Sequence, residues 1–409
     1  MSADFPGSGP PAEKPGDNDR SSPDFLPGNR LRLLESGGEY FPALMAAIDS
    51  ARHEVHLEAY IFADDTTGRQ VAAALANAAR RGVAVRVLVD GFGAREFAAG
   101  LGATLAAQGV EVMTYRPEVG RTRLRRHRLR RLHRKLAVID GRMAFVGGIN
   151  VVDDFDDGKS ASARFDYAVS VEGPLVANIH AAMRHVWRLV RWASLGRRPP
   201  APPPLPEPPP VFGTTRAALL IRDNLRHRRD IEDAYLDAID RARSEIIIAN
   251  AYFLPGRSFR KALMDAASRG VRIKLLLQGR SDHILLHYAT QSLYDRMLAA
   301  GVRVFEYNKA YLHAKVAVMD DDWATVGSSN IDPFSLLLSR EANLVVRDTA
   351  FTGELRTTLD AAISEAAREI RATDHRHRSW LARLASTAAY SLVRVLIAVT
   401  RYGGKERPD

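Results

Sequence analysis

His133, Lys135, Asp140 and Asn150 recur in the same order as His313, Lys315, Asp320 and Asn330, all displaced by one constant offset (313 − 133 = 180). One His-x-Lys pair arises by chance in most chains, but two copies with identical internal spacing do not. If the copies meet, two imidazoles, two ammonium groups and two carboxamides surround one cavity. Such a set suits a phosphodiester. Lysine and asparagine donors hold the non-bridging oxygens and stabilise the charge of a pentacoordinate transition state. One imidazole attacks phosphorus while the other protonates the leaving oxygen. An ordinary imidazole pKa near 6.5 allows one neutral and one protonated ring around neutral pH. With ammonium groups as the electrophile, this chemistry needs no metal and no other cofactor.

A second pairing follows the asparagines. "RFDYAVSVEG" (164–173) and "SREANLVVRD" (339–348) each open a strand with an acid, which sets Asp166 in register with Glu341. An acid there can bond the far imidazole nitrogen, fixing its tautomer and raising its basicity. Asp140 and Asp320 instead end their strands and precede turn residues such as Gly141, so their residue-level reading is to fix the turn. Glu58, on an early strand, reads either as a site acid or as an exposed one.

The elements that must position these residues are themselves repeated. "AIDSARHEVHLEAYIF" (47–62) echoes "AIDRARSEIIIANAYFL" (238–254), "AARRGVAVRVLVDG" (78–91) echoes "AASRGVRIKLLLQG" (266–279), and "GVEVMTY" (109–115) echoes "GVRVFEY" (301–307). Each half reads helix, apolar strand, helix, strand, helix, strand, then the His-x-Lys segment. Gly82 and Gly270 fit helix C-caps. Strands rich in Val, Leu and Ile alternating with helices predict an α/β fold. It comprises two repeated domains, each a mostly parallel sheet sandwiched by helices, related by a pseudo-twofold axis. Residues 1–30 read as a disordered leader, 31–195 as the first domain and 213–372 as the second. The proline-rich 196–212 is an extended connector between them, and 373–409 is a basic amphipathic tail. The 409 residues are 46% hydrophobic and 26% charged, an ordinary globular composition with ample material for cores. Cysteine is absent, which excludes disulfides and thiolate metal sites.

The paired motifs resemble the phospholipase D superfamily, whose signature is a duplicated His-x-Lys-x4-Asp followed by Gly-Gly/Ser-x-Asn. The resemblance spans about residues 28–350. More narrowly, "LLESGGEYFPALMAAIDSARHEVHLEAYIF", "IIIANAYFLPG" and "HAKVAVMDDDWATVGSSNIDPFSL" are similar to bacterial cardiolipin synthases, in particular the shorter B type that lacks N-terminal membrane spans. The resemblance implies transfer of a phosphatidyl group from one phosphatidylglycerol to another through a phosphohistidine, with release of glycerol. It implies His133 as nucleophile and His313 as acid and then base, a pair whose symmetry also admits the reverse. It places Lys135, Lys315, Asn150 and Asn330 on the phosphate and includes Asp140 and Asp320 in the catalytic set. Ser339 stands where the family usually has Asn.

The formal net charge of +10 points to an anionic partner. Its densest part, "GRTRLRRHRLRRLHRK" (120–135), offers Arg125, Arg126, Arg128, Arg130 and Arg131 as head-group contacts. Nucleic acid would satisfy these arginines equally well. The C-terminal stretch separates the two partners. Arg376, Arg383, Arg394 and Arg401 fall within about 20° of one another on a helix whose remaining face is apolar. A basic stripe on a greasy helix suits the plane of an anionic bilayer, against the competing reading of a helix packed on the core. Phosphatidylglycerol and the cytoplasmic face of the cell membrane are therefore the expected partners, with the protein peripheral and nucleic acid disfavoured. Two other classes remain beside the transferase: a hydrolase or nuclease of the same chemistry, and a non-catalytic binder of anionic lipid or nucleic acid. The second of these does not need two matched histidines.

Overall fold

The computed structural model describes residues 23–117, 130–154, 163–195, 210–223, 226–279, 284–373 and 380–401. The leader up to residue 22, the connector over 196–209, and Arg125, Arg126, Arg128 and Arg376 lie outside the described residues.

The first half runs β1 (Leu26–Glu35), α1 (Ser36–Ser50), β2 (Glu54–Ala59), α2 (Thr66–Arg80), β3 (Ala84–Asp90), α3 (Leu101–Ala107), β4 (Glu111–Tyr115), β5 (Leu136–Ile139), β6 (Met143–Gly147), β7 (Tyr167–Glu172) and α4 (Leu175–Leu195). The second runs β8 (Thr215–Arg222), α5 (Asp230–Arg241), β9 (Glu245–Asn250), α6 (Arg257–Ser268), β10 (Arg272–Gln278), α7 (Ile284–Gln291), α8 (Tyr294–Ala299) and β11 (Arg303–Tyr307). It continues through β12 (Lys315–Met319), β13 (Trp323–Gly327), α9 (Pro333–Leu337), β14 (Glu341–Arg347), α10 (Thr349–Ala366), β15 (Ala367–Ile370) and α11 (Trp380–Arg401). β1 therefore begins inside the stretch read as a leader, because its residues pair with β7 on one side and β8 on the other.

The order β15-β11-β10-β9-β12-β13-β14-β8-β1-β7-β6-β5-β2-β3-β4 makes one 15-stranded sheet, joined across the halves at β1 and β8. The repeated α/β design holds, but the pairing within each half is mixed rather than mostly parallel. Among the strands named above, β2–β3–β4 and β9–β10–β11 run parallel and the other pairs antiparallel. Helical crossovers join those strands, whereas β5–β6 and β12–β13 are joined by tight turns that permit only antiparallel pairing.

Alternation along the short motif strands divides the core. Ala137 and Ile139 face an outer layer beneath α1 and α2, while Leu136 and Val138 face a central layer. In the second half Ala317 and Met319 face the outer layer, and Val316 and Val318 the central one. Both halves contribute to that central layer, together with Ile179 and Met183 of α4 and Leu355 and Leu359 of α10. Burying both faces of β5 and β12 leaves their polar residues one outlet, at the strand ends.

Gly82 and Gly270 occupy the left-handed region (φ 87° and 89°), as expected of helix C-caps. α11 sets Ala389 and Val393 into the outer core of the second half, so the packed alternative holds for that face. Its other side is uncovered: Leu384, Leu392 and Val395 are 58%, 50% and 57% exposed. No described helix is long and apolar enough to cross a membrane.

Candidate active site

Four segments entering strands converge at the seam between the halves. Leu132 bridges Arg340, and Phe165 bridges Leu312. The His133 amide donates to the Arg340 carbonyl (3.0 Å) and the His313 amide to the Phe165 carbonyl (2.8 Å). Each motif histidine is thus held through its backbone by the opposite half.

The side chains repeat this exchange. His133 Nδ1 lies 3.0 Å from Glu341 Oε2, and His313 Nδ1 lies 2.5 Å from Asp166 Oδ2. With Nδ1 committed to a carboxylate, Nε2 is the nitrogen left to meet substrate. The surroundings of the acids differ. Ser328 Oγ donates to Glu341 Oε2 (2.6 Å), whereas a Cβ at the matching Gly148 would stand 2.3 Å from Asp166 Oδ1. "GG" in one motif and "GS" in the other therefore fit two different acids, a signal present in the sequence that residue-type reasoning passed over.

Lys135 Nζ donates to the His133 carbonyl (2.7 Å), and Lys315 Nζ to the His313 carbonyl. Burial lowers the Lys135 pKa to about 7 against the raising effect of Glu341, and lowers that of Lys315 to about 8 against Asp166 and Glu341. Burial also brings His133 below its usual value, with Glu341 opposing the shift. His313 is driven well below by burial and then by the charges of Lys315, Lys135 and His133. Burial raises Asp166 to about 6. These mutual influences place the titrating groups of both halves in one electrostatic unit. Asn150 and Asn330 are both 4% exposed. The Asn150 side-chain oxygen accepts from the Ile61 amide (3.3 Å), while that of Asn330 has no partner among the described residues. Tyr60, which lies outside the repeated motif, sets its ring centroid 4.6 Å from that of His133 and 5.2 Å from Lys135 Nζ.

Asp140 and Asp320 stand apart. They sit at the far ends of β5 and β12, about 20 Å along an extended chain from their histidines. Both take positive φ (51° and 48°). Asp140 accepts the amides of Arg52, His53 and Glu54, and Asp320 those of Arg243, Ser244 and Glu245. Burial pushes the Asp320 carboxyl up, but those amides outweigh it and hold the pKa below the usual range. The two aspartates therefore clamp the entry to β2 and β9, at the ends of their strands opposite the histidines. Glu58 is neither a site acid nor exposed: it receives Arg134 in a fully buried ion pair (2.6 and 2.8 Å) on the face covered by α4. Arg130 and Arg131 lie half-buried where the first motif begins.

The family model described as "Cardiolipin synthase, PLD-like domain" matches residues 44–187 and 235–363. Cardiolipin synthase B of Escherichia coli (strain K12) is 40% identical over 377 residues, covering 90% of this chain and 88% of its own. Cardiolipin synthase A of Pseudomonas putida (strain GB-1) is 32% identical over 352 residues, covering 86% and 72%. Among solved structures, phosphatidylserine synthase from Haemophilus influenzae Rd KW20 superposes with a TM-score of 0.66 at 13% identity, covering 92% of this chain and 96% of that one. At that identity it supports the fold alone.

Proposed function

This chain belongs to the phospholipase D-like family of cardiolipin synthases, and from that premise we propose that it is a phosphatidyltransferase making cardiolipin from two molecules of phosphatidylglycerol. The observation that carries the reading is the crossed pair of dyads. Each histidine is oriented by the acid of the other half, and each motif lysine is bonded to its own histidine's carbonyl.

His133, kept neutral by burial, attacks the phosphorus of the first lipid through Nε2. Lys135, Lys315, Asn150 and Asn330 hold the non-bridging oxygens as negative charge builds. The bond from phosphorus to the glycerol head group breaks, and His313 delivers the proton that makes glycerol a neutral leaving group. The incoming phosphodiester anion favours the imidazolium form of His313, offsetting the cations that depress it in the free site. The same ring then takes the proton from a hydroxyl of the second phosphatidylglycerol. That oxygen attacks phosphohistidine, the P–N bond breaks, and cardiolipin leaves with His133 restored. The acids Glu341 and Asp166 hold each ring in one tautomer throughout.

The lipid reaches the site from a bilayer surface, which the protein meets at the cytoplasmic face of the membrane. Supporting this is α11, anchored through Ala389 and Val393 with Leu384, Leu392 and Val395 turned outward beside Arg394. Incubation with phosphatidylglycerol in mixed micelles, followed by lipid chromatography, should yield cardiolipin and glycerol. Phosphatidate would identify a hydrolase, and cleavage of single-stranded DNA without lipid turnover a nuclease; either refutes the proposal. His133→Ala and His313→Ala should each abolish turnover, and mass spectrometry of the trapped intermediate identifies the phosphorylated ring.

A further inference from the structure

Displacement of His133 from phosphorus is in line, so the acceptor oxygen must arrive opposite the P–N bond, through the place that glycerol vacated beside His313. The acceptor is itself a phosphodiester, and its charge lies only the glycerol carbons away from the attacking hydroxyl. A cation beyond His313 can hold that charge, whereas the departing glycerol is neutral and needs none.

Arg164 stands there. Its backbone is fixed on both sides: the amide donates to the Asp154 carbonyl (3.3 Å), and the carbonyl accepts from Ser36 Oγ (2.6 Å). The next residue, Phe165, donates its amide to the Tyr311 carbonyl (3.0 Å) and accepts from the His313 amide. After it comes Asp166, the acid bonded to His313. Alternation through the Phe165 bridge brings Arg164 to the Asp166 side of the segment. Its guanidinium carbon lies 5.6 Å from the Tyr311 ring centroid, and that ring stacks along the His313 ring (centroids 6.2 Å apart, planes at 26°). Tyr252 holds this shelf through a bond between the two phenol hydroxyls (2.5 Å).

No carboxylate accounts for the guanidinium. Among the described residues Arg164 forms no ion pair, and its buried Nε has no acceptor. The neighbouring acids are committed elsewhere, Asp166 to His313 and the Tyr167 amide, Asp154 to the Gly37 amide. The charge nevertheless reaches the site: burial, then Lys315, Lys135, His133 and Arg164, depress the His313 pKa. A half-buried, unpaired cation so placed costs stability unless an anion joins it. By the register of Asp166 with Glu341, the pseudo-twofold counterpart of Arg164 is Ser339, neutral and 8% exposed. At this position a cation stands only on the side that the acceptor must use.

We propose that Arg164, seated on Tyr311, binds the phosphodiester of the acceptor phosphatidylglycerol and so selects an anionic acceptor over water or a free alcohol. This rests on the transferase reading, with His133 as nucleophile, and deepens it by naming the residue that recognises the second lipid. The forked guanidinium donors match the paired non-bridging oxygens of that diester.

A competition between acceptors tests this. Full-length enzyme is given dihexanoyl phosphatidylglycerol together with radiolabelled glycerol. Glycerol can resolve the same intermediate: its oxygen bonds phosphorus, the P–N bond breaks, its proton passes to His313, and labelled phosphatidylglycerol forms. Both products share one donor step and one acid–base ring, so their ratio does not depend on how much protein is folded. Arg164→Gln should lower the ratio of cardiolipin to labelled phosphatidylglycerol about tenfold or more. Arg164→Lys, which keeps the charge, should recover most of that loss. An unchanged ratio in Arg164→Gln, or no recovery in Arg164→Lys, would overturn the proposal. Unaltered enzyme that labels phosphatidylglycerol yet makes no cardiolipin would instead sink the transferase reading, a result visible before any variant is made.

Discussion

Glu341→Gln isolates what the crossed dyad contributes. The carboxylate is wholly buried, 3.0 Å from His133 Nδ1 and 2.6 Å from Ser328 Oγ. Glutamine preserves its shape and one acceptor while removing its charge. When His133 carries positive charge during the reaction, a full Coulombic attraction at 3.0 Å is about 5 kcal/mol at an effective dielectric near 20. The neutral hydrogen bond that remains recovers part of this, since a charge-assisted bond is roughly twice as strong as a neutral one. A net loss of about 2–4 kcal/mol follows, and at 1.36 kcal/mol per decade that is roughly thirty- to a thousandfold in kcat. KM should stay within a few-fold, because Glu341 orients the ring rather than holding substrate. The melting temperature should fall as well, because Glu341 offsets the buried charges of Lys135, Lys315 and Arg222, so kcat is counted per folded molecule. Steady-state kinetics on dihexanoyl phosphatidylglycerol with parallel calorimetric melts measures all three. A loss of less than tenfold in kcat, or one that tracks loss of folded protein, refutes the orienting role.

Protonation of the two lysines should govern anion affinity: inhibition by inorganic phosphate weakens from pH 6.5 to 9 as Lys135, near 7, and Lys315, near 8, lose their charge. Their effect on folding has the opposite trend. Between pH 7 and about 10 the unfolded chain holds a proton at Lys135 that the folded chain has shed, so stability relative to Lys135→Met should rise with pH in that window; a flat difference in denaturant midpoints would exclude a depressed lysine. Asp140→Ala and Asp320→Ala each strand three backbone amides, and each should cost about 1–3 kcal/mol in urea unfolding while leaving kcat per folded molecule within a few-fold. A kcat loss like that of a histidine mutant would place them in the catalytic set. Glu58→Gln should destabilise by about 3–5 kcal/mol because Arg134 keeps its charge inside the protein, whereas Glu58→Leu with Arg134→Leu should be far milder. Equal losses would mean that packing and not charge governs the site.

Much of this molecule was legible in the chain because repetition is itself a physical statement. Two copies of one pattern bury the same faces and leave the same residues at the same strand ends. His133, Lys135 and Asn150 could be placed with their counterparts before any coordinate was known, as could the register of Asp166 with Glu341. Continuous apolar runs located β5 and β12, and the glycines after α2 and α6 marked the ends of those helices. The signals that failed were those in which one residue type serves two environments. A greasy helix with a basic stripe reads the same whether one face packs or all of it waits for lipid, and α11 does part of each. Nor does a glutamate on an early strand disclose that an arginine will be buried against it. The tertiary structure alone decided that each histidine takes its carboxylate from the other half. Spacing within a chain fixes what lies on one strand. Which strands from opposite halves share an end depends on how the sheet closes over its common core, and that is settled by packing summed over the whole molecule.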